Sequence, residues 1–178
     1  MTFMILWFRH LPKISMDLKE WYPFIRNNWF REHYMKFVYV LQIVIVLISN
    51  TRFGSLNPLT LILIGIVVFV LYEFLHIIVV YKKGDISLTF RGTFFWLHTD
   101  AILSKTRFWI FMSLPLIGLS VVPAVISFFV SGNVQSILLF ISWINLLIGS
   151  SDMINSFLIL IKPKNSIFYR GYYRVWKS

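Results

Sequence analysis

Cysteine is absent from the 178 residues, so no disulfide, thiolate nucleophile or cysteine-based zinc site can form. Acids are scarce: seven Asp and Glu stand against 17 Lys and Arg, a net charge of +10. Charged residues together make up only 13% of the chain, too few to clothe a soluble domain. No glycine-rich phosphate loop, Gly-x-Ser-x-Gly elbow or Cys-x-x-Cys pair occurs, which removes the usual signatures of nucleotide, ester and redox chemistry. The two halves also show no internal repeat of the kind many transporters carry.

What is present is apolar. Hydrophobic residues make up 58% of the chain and the mean hydropathy is +0.75, which points to a multi-pass membrane protein. Four apolar runs, 34–49, 59–80, 108–130 and 137–161, are the candidate spans. Between the second and third, the β-prone stretches ISLTF and TFFWLHT flank Arg91-Gly92 and read as a hairpin over 86–99. The predicted fold is therefore an all-α membrane protein: four transmembrane helices, N-terminal interfacial helices and a short cytoplasmic β-hairpin. The domain reading is an interfacial segment 1–35, a transmembrane domain 36–162 and a basic tail 163–178. The opening MTFMILWF lacks a positive leader and a cleavage site, so retention of the N-terminus is expected.

Basic residues cluster beside the apolar runs. They lie in 9–36, in 81–107 and in 162–177, and Arg52 alone falls in the remaining loop. By the positive-inside rule, both termini and the hairpin are expected in the cytoplasm. The same placement makes the lipid bilayer, and not nucleic acid, the expected partner of this charge. Interleaved bases and aromatics in 1–35 could stack single-stranded nucleic acid, but a membrane surface explains the same residues.

Within 59–80 the chain reads Tyr72-Glu73-Phe74-Leu75-His76. Tyr72 and His76 sit one helical turn apart with Glu73 beside them, the spacing of the HExxH zinc motif with tyrosine in place of the first histidine. An ionisable pair inside a span is costly and marks a functional site. From the expected inner end of the second span, Glu73 and His76 lie roughly 10 and 6 Å deep; from that of the fourth, Asp152 lies roughly 14 Å deep. The three therefore share one half of the membrane and can converge. In the fourth run, Asn145, Gly149, Asp152 and Ser156 form one stripe with Asn155 beside it. On residues alone, the group could be an interhelical clamp, a metal site or a proton path.

YEFLH, LSKTRFWIFMSLPLIGLSVVP and SSDMINSFLIL, in this order and spacing, resemble the bacterial membrane family of "putative zincin peptidases", similar in plan to site-2-protease-type intramembrane metalloproteases. The resemblance runs from about Leu59 to the C-terminus. It implies a bacterial cell-membrane location, zinc as cofactor, Glu73 as general base, and His76 and Asp152 as metal ligands. It also likens the 86–99 hairpin to the strand element that pairs with extended substrate in site-2-protease relatives. Tyr72 departs from the pattern, and a phenol with an ordinary pKa near 10 is a poor third ligand unless the metal ionises it. His98, at the end of the hairpin, is a conceivable substitute, though its spacing does not require the role. The implied function is a catalytically degenerate intramembrane zinc metallopeptidase homologue that binds a membrane peptide or protein partner. The alternative is a non-enzymatic interaction or immunity-type protein, for example one that protects a membrane from a peptide toxin.

Overall fold

A computed structural model describes residues 5–7, 19–48, 56–91 and 94–176. The readings of 1–4 and 8–18, of the Arg52 loop and of the Arg91-Gly92 turn tip lie largely outside these residues. The elements run β1 (Ile5–Trp7), β2 (Tyr22–Pro23), α1 (Asn28–Ile48), α2 (Pro58–Val80), β3 (Ile86–Arg91), β4 (Phe94–Thr99), β5 (Leu103–Ser104), α3 (Lys105–Leu116), a π-helical turn (Ile117–Val121), α4 (Val122–Ser127), α5 (Gly132–Ile148), α6 (Ser150–Leu160), β6 (Ser166–Tyr169) and β7 (Tyr172–Val175).

Asn57 starts α2 by accepting the Leu59 amide at 2.9 Å, and Pro58 follows where its missing N–H costs nothing. The helix exposes apolar residues round most of its girth, Leu59, Ile62, Ile66, Val70 and Phe74 among them, and buries a single stripe. That stripe is Val68, Tyr72, His76 and Val80, spaced four apart so that they stack along one face. At 23 residues, α2 spans roughly 34 Å, enough to cross a hydrocarbon layer.

Lys105–Ser127 is a second helix long and apolar enough to cross. Pro115 and Pro123 interrupt it, and the π-helical turn between them absorbs the mismatch. Asn145 of α5 donates to the Pro115 carbonyl at 3.0 Å and to Ser120 Oγ at 2.7 Å, so a neighbour satisfies the loosened backbone.

The fourth apolar run is not one straight helix. α5 and α6 meet at Gly149 with a bend of 67°, and count as a third span if the pair crosses together. The expected polar stripe is therefore split between two axes. α1 carries Arg31, Glu32 and Lys36 in its first turns, leaving a shorter apolar stretch behind them.

Two small sheets sit at one end of the helices. The hairpin forms as read, with Ile86 opposite Thr99 and Ser87 opposite His98; β1 pairs in parallel with β3, and β4 lies at the edge. The second sheet, β2-β7-β6-β5, is antiparallel and draws in both the segment before α1 and the basic tail. Its Arg170-Gly171 turn has positive φ at both residues, as a two-residue hairpin of matching twist requires. Residues 19–27 thus hold a strand where an interfacial helix was expected. The rings of Phe24, Phe108, Phe168 and Tyr173 pack with Ile159 into a core, so these aromatics do not face lipid. A second cluster, Val80, Ile86, Ala101, Leu103 and Phe111, seats the hairpin on the ends of α2 and α3.

Candidate functional site

The buried stripe of α2 meets the first turn of α6. Tyr72 donates its hydroxyl to Asp152 Oδ2, and His76 Nε2 lies 2.9 Å from the same oxygen. All three residues are buried. The Tyr72 and His76 rings meet edge to face, 4.7 Å between centroids, and Phe111 of α3 closes the other side of the imidazole at 4.5 Å.

The break at Gly149 makes this meeting possible. It converts Asp152 from a mid-helix residue to one in the first turn of a new helix, where unpaired amides and the helix dipole favour a carboxylate. Gly149 also leaves room for Tyr72. A β-carbon there would stand 3.3 Å from Tyr72 Cε2 and 3.2 Å from the Asn145 carbonyl oxygen.

A cavity of about 640 Å³ opens beside the cluster, between α1, α2 and α6. Tyr72, His76 and Asp152 themselves line it, with Tyr34, Gln42, Glu73 and Asn155, among apolar residues such as Val38 and Phe69. The Tyr34 hydroxyl lies 2.9 Å from Asn155 Oδ1 and 3.0 Å from the Ser151 carbonyl, and Gln42 donates to the Leu147 carbonyl at 3.0 Å. Those contacts dock α1 on the α5–α6 break. Glu73 stands apart from the cluster: its Oε2 is buried without a hydrogen-bond partner among the described residues. An adjoining cavity of about 520 Å³ shares Leu97, Phe111, Met112 and Asn155, and extends to β4 and the β6–β7 turn.

Of the residues singled out in the sequence, the structure joins Tyr72, His76 and Asp152 and lines the cavity with Glu73. His98 is exposed on β4 and lines the second cavity, whose lining does not include His76. Sequence reasoning missed Tyr34, which looked like the start of a span, and the roles of Asn145 and Gly149. An asparagine and a glycine in an apolar run were the available signals, but neither announces a bend.

Helices long and apolar enough to cross a membrane thus close on a buried phenol, imidazole and carboxylate. The chain belongs to the family described as "Putative zincin peptidase", which residues 65–167, more than half its length, match. No curated protein and no solved structure matches it.

The family suggests zinc, and the donor chemistry here does not complete a catalytic zinc site. Such a site takes three protein ligands and a water. His76 and Asp152 are two donors of the right kind; the third position holds a phenol whose proton is directed at Asp152 Oδ2. A ligating histidine also donates its other N–H to an acceptor, whereas His76 Nδ1 is buried with no partner among the described residues. With the proton on Nε2, facing Asp152, Nδ1 is left as a bare lone pair, a lesser cost than an unpaired N–H. Among the described residues no group of three His, Cys, Asp or Glu could hold a metal ion.

Proposed function

We propose that this chain is a four-span cell-membrane protein, both termini cytoplasmic, that retains the zincin plan without hydrolysis and acts by binding a membrane peptide or protein. The observation that carries the reading is the convergence of the Tyr72 hydroxyl and His76 Nε2 on one oxygen of Asp152. On this reading a hydrogen-bonded clamp joins α2 to α6 and takes up the donors that a metal would need. Glu73, the general base by resemblance, is left lining the cavity with a carboxylate oxygen unpartnered. The adjoining cavities lead from the apolar layer to the edge strand β4, a path suited to a chain that leaves a helix and becomes extended.

Metal analysis tests the first half of this reading. Purified wild type is expected to hold far less than one zinc per chain, while Tyr72→His, which restores the third ligand, gains it. A full zinc in the wild type, lost in His76→Ala, would overturn the reading. For the second half, a photo-crosslinker at Val38, in the cavity, is expected to capture a single-span hydrophobic probe peptide better than one at the exposed Val67. Equal capture would remove the cavity as the binding site.

A further inference from the structure

At the end of the bundle where α1 begins and α6 ends, and outside residues 65–167, a pocket of about 630 Å³ is lined by Lys19, Glu20, Tyr22, Arg26, Arg174 and Trp176. Three bases face it and one acid. The Arg26 guanidinium lies over the Tyr22 ring at 4.5 Å and the Tyr173 ring at 5.2 Å, with no acid partner among the described residues. Arg174 lies over Trp21 at 5.3 Å and Trp176 at 5.5 Å, and one nitrogen, Nη1, meets the largely exposed Glu20 at 3.0 Å. Stacking on rings holds a guanidinium plane while leaving its N–H edge outward, the arrangement that matches phosphate oxygens two at a time.

The surroundings deepen the positive field. Lys162, two residues past α6, donates to the Phe24 carbonyl at 2.7 Å and lies over Tyr173. Burial, and then the Arg26 charge, hold its ammonium below the ordinary 10.5. The height is fixed as well. Lys105, the first residue of a span-capable helix, reaches the Lys162 and Leu160 carbonyls, so the pocket lies where that helix would leave an apolar layer. Tyr22, Trp29 and Trp176 are exposed at this end, as amphipathic rings are at headgroup depth.

We propose that this pocket is a phosphate site, with Arg26 and Arg174 as paired forks, whose occupant is the headgroup of an anionic phospholipid. The test uses the full chain in nanodiscs of phosphatidylcholine containing a minor fraction of phosphatidylglycerol, with retained lipid read by native mass spectrometry. Wild type is expected to enrich phosphatidylglycerol. Arg26→Gln with Arg174→Gln is expected to lose about thirtyfold of that preference, the loss from two surface cations. Neutralising the exposed Lys82 and Lys83 instead, a change of equal charge, is expected to leave the preference in place. Equal enrichment by wild type and the arginine double variant, or equal loss in both double variants, would overturn the site. Should the arginine double variant not fold, Arg26→Lys decides: it keeps the charge and loses the fork, so a several-fold fall supports the site and no change overturns it. Competition by millimolar inorganic phosphate separates the sources. Lipid that stays bound supports the headgroup, and lipid displaced at millimolar phosphate overturns that occupant in favour of soluble phosphate.

Discussion

Tyr72 Cε2 lies 3.3 Å from the point where a β-carbon on residue 149 would stand, so the buried aromatic of α2 leans on the glycine that breaks the fourth apolar run. The two features are one device. The glycine admits the ring, the break turns Asp152 toward α2, and the ring's hydroxyl then finds the carboxylate.

Gly149→Ala tests that coupling. The added methyl meets backbone on one side and a buried ring on the other, so about 1–3 kcal/mol of stability is expected to be lost. Gly65→Ala, on the same helix as Tyr72 and with nothing within 4 Å of the new methyl, is expected to be neutral or mildly stabilising. Thermal unfolding of both variants in one detergent checks the contrast; equal melting temperatures would show that the ring has room to spare.

Asn145→Leu removes both the bond to the Pro115 carbonyl and the bond to Ser120. Polar contacts between membrane helices are modest, so a loss of about 1–2 kcal/mol is expected. The backbone amides near the π-helical turn are expected to exchange faster with solvent deuterium, while those of α1 do not change.

Tyr34→Phe and Asn155→Ala each untie α1 from α6. In a double-mutant cycle their coupling is expected at about 0.5–1.5 kcal/mol, the range of one buried hydrogen bond. A coupling near zero would mean that the Tyr34 hydroxyl is held by the Ser151 carbonyl alone.

Tyr72→Phe keeps the ring and deletes the hydroxyl. Leaving one partner of a buried hydrogen bond unsatisfied costs about 1–3 kcal/mol, and that loss is expected in unfolding experiments on the wild type beside this variant. Asp152→Asn is expected to fall by a similar amount, and the double variant by much less than the two together.

Parts of this architecture are legible in the sequence because they rest on local periodicity. The four-residue spacing puts Tyr72 and His76 on one face whatever surrounds them, and comparison of depths across two spans is enough to bring Asp152 near. The hairpin is legible because Ile86 to Thr99 carries β-branched and aromatic residues on both sides of a turn. The bend at Gly149 is not, because hydropathy runs unbroken from α5 into α6 and a helical glycine is tolerated as often as it breaks. The sheet β2-β7-β6-β5 is hidden for another reason. Two of its strands have two residues each, too short for any alternation, and its order joins positions about 150 residues apart. Nothing in the local sequence of Phe24, Phe168 and Tyr173 marks them as core, and only that long-range pairing brings them together.

The most direct measurement of the central claim is the melting temperature of wild type and of Tyr72→His, each with added zinc and with chelator. A ligand that binds only the folded state raises its stability. The wild type is expected to be indifferent to both additions, and the Tyr72→His protein to be stabilised by zinc and returned to its starting value by chelator. A wild type stabilised by zinc and weakened by chelator would contradict the clamp, since the phenol would then serve as a metal ligand.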